Sequence, residues 1–253
     1  VIANFKMNGT VGSTIEYGNE LFDLLFENEL YNTTIVMAPS AIHLAYLQSR
    51  LIGTRIKYGG QDLCGQAQFG SHTGNTSAEQ LADLGCTYSI IGHSERRKNL
   101  GETDCIISNK LSNATLARIT PILCVGEDFT ENREGHTWKV IKGQLDVNLA
   151  KFDSTAKIMI AYEPIWSIGT GKIPSLQDVQ NVVDHIADYM QGRGLQAELI
   201  YGGSVTGANA EELLMVKNLS GFLVGGASLK VSTFWPIIQA CEAVGKQIKT
   251  QSA

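Results

Sequence analysis

The sequence contains no apolar run approaching the ~20 residues that a membrane span needs, so no association with a membrane is expected. It has no surplus of basic residues either. Its 20 Lys+Arg against 25 Asp+Glu give a net charge of -5, which argues against nucleic acid as a partner, because that binding asks for a basic face. Paired cysteine spacing is missing as well. Cys64, Cys86, Cys105, Cys124 and Cys241 are odd in number and predict reduced thiols in place of a disulfide framework. With no CxxC or HExxH pattern, a metal site is not expected. No leader-like segment is visible, so the Asn-x-Ser/Thr triplets at Asn8, Asn32, Asn75, Asn113 and Asn218 read as chance matches and a cytoplasmic protein is the expectation.

What is present is a regular alternation. At 253 residues and 43% apolar content the chain can bury one large core. Short β-rich runs recur as "VIANF", "TTIVMA", "IKYGG", "YSIIG", "PILCVG", "KIMIAY", "AELIY" and "GFLVGG". Between them lie helical patterns such as "IEYGNELFDLLFENEL" from Ile15 and "SLQDVQNVVDHIADYMQ" from Ser175, with apolar residues at i, i+3, i+4 and i+7. Alternation of this kind predicts a parallel sheet, and eight units in a chain of this length fit an α/β fold, a closed (β/α)8 barrel. An open doubly wound sheet is the runner-up. No linker or composition break divides the chain, so residues 1–253 read as one domain.

In such a barrel the carboxyl ends of the strands share one rim, where barrel enzymes carry their chemistry. Those ends hold Asn4 and Lys6, Gln61 and Asp62, His93 and Glu95, Cys124 and Glu127, Glu163, Ser204, and Gly225-Gly226. The turns in "YGGSVTGANAEEL" and "VGGASLK" follow the seventh and eighth strands, the usual phosphate site of the fold, and offer unobstructed backbone N–H groups. Lys6 is the natural cation for an anionic ligand there. His93, where the fourth strand passes into a helix, meets a positive dipole end that favours a neutral ring able to donate to a substrate oxygen.

Glu163 decides between binding and catalysis. A carboxylate beside a phosphate site repels the ligand, so its presence there implies work as a base. In "AYEPIWSIGTGK" it is followed by stiff Pro164 and Trp166 and then by Gly169-Thr170-Gly171, the pattern of a lid on rigid ends that closes and excludes water. One carboxylate base, one neutral imidazole and one lysine suit proton abstraction beside a carbonyl, with the enediolate oxygen held by Lys6, His93 and Asn4. Cys124 reads as a buried strand residue.

"NFKMNG", "IIGHSERR", "PILCVGE", "AYEPIWSIGTGK", "YGGSVTGAN" and "GFLVGGASLK" together resemble the triosephosphate isomerase family, in its order and across essentially the whole chain. The resemblance implies a TIM barrel that interconverts dihydroxyacetone phosphate and glyceraldehyde 3-phosphate in glycolysis and gluconeogenesis, without a cofactor and as a homodimer. Lys6, His93 and Glu163 match the family's catalytic residues, Glu163 being its base. Asn4 matches a substrate-binding residue, Glu95 the acidic residue beside the lysine, and Gly169, Ser204, Gly225 and Gly226 phosphate contacts. Ile168 and Leu223 match an apolar clamp over the base.

The chain departs from the family pattern at Phe5 for a tryptophan, Ser167 for an alanine, Ile173-Pro174 for Thr-Ala, and Asn75 for an acidic residue. The 65–78 loop, "GQAQFGSHTGNTSA", resembles the family's interface loop. There the missing acid is expected to leave Arg96 without its charged partner and to weaken the dimer. Two other readings compete. A barrel aldolase would use a desolvated lysine as a Schiff-base nucleophile, whereas Lys6 has Glu95 expected beside it. A phosphate-binding barrel without catalysis would have no use for the set of Lys6, His93 and Glu163.

Overall fold

The computed structural model describes residues 1–66, 69–169 and 173–251. Eight parallel strands close into a barrel: β1 (Ile2–Asn4), β2 (Val36–Ala38), β3 (Lys57–Gly60), β4 (Tyr88–Ile91), β5 (Thr120–Val125), β6 (Ile158–Tyr162), β7 (Ala197–Tyr201) and β8 (Leu219–Val224). Closure is made where β1 pairs with β8, Ile2 beside Leu223 and Ala3 beside Val224, so the sheet has no free edge. The open-sheet alternative is thereby excluded.

Among the described residues the helices are α1 (Val11–Glu27), α2 (Leu44–Arg50), α3 (Ala78–Asp83), α4 (Ser94–Leu100), α5 (Asp104–Leu116), α6 (Phe129–Arg133), α7 (Thr137–Asn148), α8 (Leu176–Gly192), α9 (Ala210–Leu213) and α10 (Val231–Gln251). The expected helix from Ile15 starts a turn earlier. Thr10 caps it, accepting the Ser13 N–H while Ser13 Oγ accepts the Thr10 N–H, and this reciprocal pair satisfies donors that a helix start otherwise leaves orphaned. The pattern from Ser175 is found as α8, with Ser175 itself outside the helix as its cap.

The core has two layers because successive side chains on a strand point to opposite faces. Ile2, Val36, Ala38, Ile90, Ile122, Cys124, Ala161, Ile200 and Leu223 fill the lumen. Ile158, Ile160, Tyr162, Tyr201 and Phe222 belong to the layer between strands and helices. On β6 the lumen phase runs through Met159 and Ala161. Its next member is Glu163, so a two-residue period carries the carboxylate to the inner mouth of the barrel.

Candidate active site

Lys6 follows β1 with a left-handed backbone, φ 52°. For a residue with a Cβ that conformation costs on the order of 1–3 kcal/mol and needs support from its surroundings. The support comes from three strands. Asn4 Oδ1 accepts the Lys6 N–H at 3.0 Å, while the Lys6 carbonyl accepts Gln61 Nε2 at 2.8 Å and Ser40 Oγ at 3.3 Å. Gln61 Nε2 also donates to the Ala38 carbonyl, tying β1, β2 and β3 together at this rim. Beyond the backbone, Lys6 Nζ meets Glu95 Oε1 at 2.5 Å, so the ammonium has a counter-ion and is not the desolvated amine an aldolase would need. The lysine stem passes over Gly225, where a Cβ would stand 3.3 Å from Lys6 Cε.

His93 caps the N-terminus of α4, and its Nδ1 accepts the Glu95 N–H at 3.2 Å. An imidazolium could not accept that bond, which assigns the ring proton to Nε2. Nε2 stands 3.0 Å from Glu163 Oε1. The helix end was expected to keep the ring neutral by lowering its pKa, but the balance differs here. Burial, the largest single influence, lowers it, but the charge and the contact of the facing Glu163 carboxylate, with Glu95 behind them, together carry it above the ordinary imidazole value, so the pairing eases uptake of a second proton even though the bond that Nδ1 accepts keeps the ring neutral in this geometry.

Glu163 is 2% exposed and accepts the Ser94 N–H on Oε2 at 3.0 Å. Burial alone would push its pKa up. His93 and the first N–H of α4 outweigh that and hold it below the usual glutamate value, so the group rests ionised. Its Oε1 has no well-aligned donor, since the His93 contact is close without being linear. The carboxylate is therefore stored against a ring and a helix end.

A cavity of about 310 Å³ opens over these groups, within the size range of small-ligand sites. Asn4, Lys6, His93 and Glu163 form one side, and Ser204, Gly225 and Gly226 line it too. Ile168, Gly169 and Leu223 complete the wall. Every residue expected at the site lies on this wall except Glu95, which the structure places against Lys6. A larger cavity of about 380 Å³, beside Phe22, Phe26 and Tyr31, has Glu29 and Arg55 as its charged side chains and gathers no comparable set.

The segment after Glu163 is rooted firmly. Ile165–Ser167 form a 3-10 turn, and Trp166 Nε1 donates to Glu127 Oε1 at 2.8 Å. Gly169 has φ 69°, while Thr170 and Gly171, expected at the tip, lie outside the described residues. Cys124 is fully buried in the lumen, and burial first, then the Glu163 charge, pushes its thiol far up, as befits a strand residue and not a nucleophile.

Several supporting residues were not singled out from the sequence for the parts they take. Ser94 holds the Glu163 carboxylate through its backbone, and Gly126 lets β5 pass so close to Glu163 that a Cβ there would collide with the Glu163 carbonyl. Glu127, noted only as a rim residue, is wholly buried beneath the lid, where burial raises its pKa and Trp166, Asn132 and Tyr162 draw it back. Arg96 requires a correction. Its Nη2 lies 2.7 Å from both Asp62 Oδ2 and Glu102 Oε1, in a network that Lys110 joins from the other side, so Asn75 does not leave it unpaired.

This arrangement has counterparts among known proteins. The profile of the family described as Triosephosphate isomerase matches residues 1–241. A triosephosphate isomerase of Albidiferax ferrireducens is 42% identical over 248 residues, covering 95% of this chain and 98% of that protein. That of Bdellovibrio bacteriovorus is 41% identical over 233 residues, 92% of this chain and 95% of its own. That of Bradyrhizobium diazoefficiens is 38% identical over 248 residues, 95% and 96% respectively. Likeness at this level over nearly the full length of both partners cannot arise from a shared barrel alone, and with the clustered lysine, histidine and glutamate it leads to one conclusion: the chain belongs to the triosephosphate isomerase family.

Proposed function

We propose that this chain interconverts dihydroxyacetone phosphate and D-glyceraldehyde 3-phosphate, with Glu163 as the base, Lys6 and His93 as the catalytic groups on the oxygens, and no cofactor. The observation that carries the assignment is the ionised Glu163, buried at a cavity mouth and held only by groups that can let it go. Turning from His93 to the substrate, it takes the proton from the carbon beside the carbonyl. Charge then develops on oxygen, where the Lys6 ammonium, the His93 Nε2–H and the Asn4 amide stabilise the enediolate. His93 gives its Nε2 proton to the oxyanion and takes the proton of the adjacent hydroxyl, so the charge passes to the other oxygen; the protonated Glu163 then returns its proton to the neighbouring carbon, and base, ring and substrate all balance.

The phosphate is assigned to Ser204, Gly225 and Gly226, with Gly169 arriving from the lid side and Glu95 orienting Lys6. Ile168 and Leu223 cover the base with apolar surface, which strengthens the carboxylate as a proton acceptor by excluding water.

The active form is a homodimer on this reading, joined through the 65–78 loop. Met7, Ile42 and Phe69 support it: these large apolar side chains are 95%, 77% and 70% exposed, on the segments that follow β1, β2 and β3. One barrel domain and a cytoplasmic location complete the proposal, and among the described residues no helix is long and apolar enough to cross a membrane.

A coupled isomerase assay tests the reading directly. Glu163→Gln keeps the shape but cannot accept the proton, so kcat should fall by several orders of magnitude while phosphate-ligand affinity changes little. A variant retaining more than about a tenth of wild-type kcat would remove Glu163 from the role of base, since that loss equals only ~1.4 kcal/mol.

A further inference from the structure

We infer that Arg97 is a positioning residue for the reaction: its guanidinium bridges the carbonyls of Gly92 and Cys124 where β4 parts from β5, and so fixes where His93 and the Ser94 N–H meet Glu163. The inference rests on the proposed function for the role of His93, while the place of Arg97 stands on geometry.

The pairing of β4 with β5 ends where Ile91 stands beside Leu123. The next residues are Gly92 and Cys124. From there β5 continues in the sheet beside β6, while the other chain turns away into α4, Gly92 making the turn with φ 70° in the left-handed region. Where the ladder stops, both carbonyls find one side chain. Arg97 Nε donates to the Gly92 carbonyl at 2.8 Å, and its Nη2 donates to the Cys124 carbonyl at 3.3 Å. The guanidinium thus carries the bridge between the two strands one residue past their last pair.

The fork is aimed from behind. Arg97 Nη1 donates to Asp104 Oδ1 at 2.6 Å and Asn148 Nδ2 donates to the same oxygen at 3.0 Å, so the first residue of α5 and the last of α7 hold it. A planar guanidinium serves three acceptors in fixed directions at once, which an ammonium on a flexible stem does not reproduce. Gly92 keeps the room for it: a Cβ there would stand 3.3 Å from Arg97 Nη2 and 2.9 Å from Ile107 Cδ1. The two residues after Gly92 are the ones that touch the base, His93 through Nε2 at 3.0 Å and Ser94 through its N–H at 3.0 Å. A loosened turn moves both contacts together. Arg97 itself is not on the cavity wall, and Ser204, Gly225 and Gly226, assigned to the phosphate, follow other strands.

Arg97→Lys keeps a charge for Asp104 but gives up the fork, and Arg97→Met gives up both. In the coupled isomerase assay Arg97→Lys should lower kcat about ten- to a hundredfold, the scale expected when reacting groups are misplaced by about 1 Å, with KM within about threefold of wild type. The ring-nitrogen NMR signals of His93 should shift in the same variant. Arg193→Met is the control: Arg193 Nη2 donates to the Leu149 carbonyl at 3.1 Å, a comparable tie away from the cavity wall, and its loss should leave kcat and the His93 signals as in wild type. An Arg97→Lys variant with kcat within about threefold of wild type, with the loss carried by KM, or with unmoved His93 signals would overturn the inference. An equal loss of kcat in Arg193→Met would do the same. Arg97→Met should fall further in kcat, and if it does not fold, Arg97→Lys decides alone. A wild type that does not isomerise removes the functional reading, and the His93 signals of Arg97→Lys then decide the positioning by themselves.

Discussion

At the scale of single residues the site is a set of charges held in check by one another. Lys6 is paired with Glu95, and His93 with Glu163, so each group assigned to the substrate on the proposed reading starts in an internal contact. That pairing has a sign that can be measured. Burial is the largest single influence on the His93 pKa and lowers it, while the charge and contact of Glu163, with Glu95, together raise it past the ordinary value. Glu163→Gln removes the raising charge and leaves burial, so His93 should then titrate below the ordinary imidazole value of about 6.5 instead of above it. Nitrogen NMR of the ring, followed against pH in wild type and variant, reads this directly. It also reports the tautomer, and a proton found on Nδ1 would contradict the bond that Nδ1 accepts from Glu95 N–H. Of these residues, Lys6, His93 and Glu163 were legible from the sequence because each stands at the carboxyl end of a strand. Gln61 and Ser94 were not legible in their supporting roles, since nothing local says that an amide on β3's exit holds the Lys6 carbonyl, or that a helix N–H holds the base.

At the scale of elements the lid is the informative one. Its root is pinned by Trp166 on Glu127 and by Ser204 on the Ser167 carbonyl, and the bonds come from the ends of β5 and β7 on either side of β6. Fastening at the root keeps Glu163, just before it, in register. The lid's purpose on this account is to keep water from the enediolate until the proton returns. Deleting Ile168 to Gly171 should therefore divert turnover from isomerisation to loss of the phosphate group. Inorganic phosphate released per product formed is the measurement, and a ratio equal to wild type would show that the segment is not a lid.

At the scale of the whole molecule the question is association. The sequence pointed to a dimer weakened at Asn75, on the argument that Arg96 would want an acidic partner. In the structure Arg96 is already engaged by Asp62 and Glu102, and Asn75 is exposed. A carboxylate introduced at position 75 would then form at best an exposed pair with ~0–1 kcal/mol to contribute. Asn75→Glu should change the dissociation constant by less than about fivefold. The apolar residues are the better target: Phe69→Glu, at a side chain 70% exposed on the proposed interface loop, should shift the protein to monomers and lower specific activity on dilution. Sedimentation across a nanomolar to micromolar series separates these outcomes. A Phe69→Glu variant that stays dimeric at nanomolar concentration would place the interface elsewhere.

Periodicity and strand-end position are local properties, and they were enough to read the eight βα units, the shared rim and the placing of Lys6, His93 and Glu163 on it before any coordinates. They worked because a strand's two-residue repeat ties residue number to direction, so that Met159, Ala161 and Glu163 must face one way. What the tertiary structure alone decided is everything that depends on distance between elements far apart in the chain. The left-handed Lys6 is held by groups that follow β2 and β3, Arg96 is satisfied by Asp62 and Glu102, and the Ser204 hydroxyl finds the Ser167 carbonyl across 37 positions of sequence. Hydrogen bonds and ion pairs reach only a few ångströms, and no one-dimensional pattern records which side chains barrel closure brings within that reach.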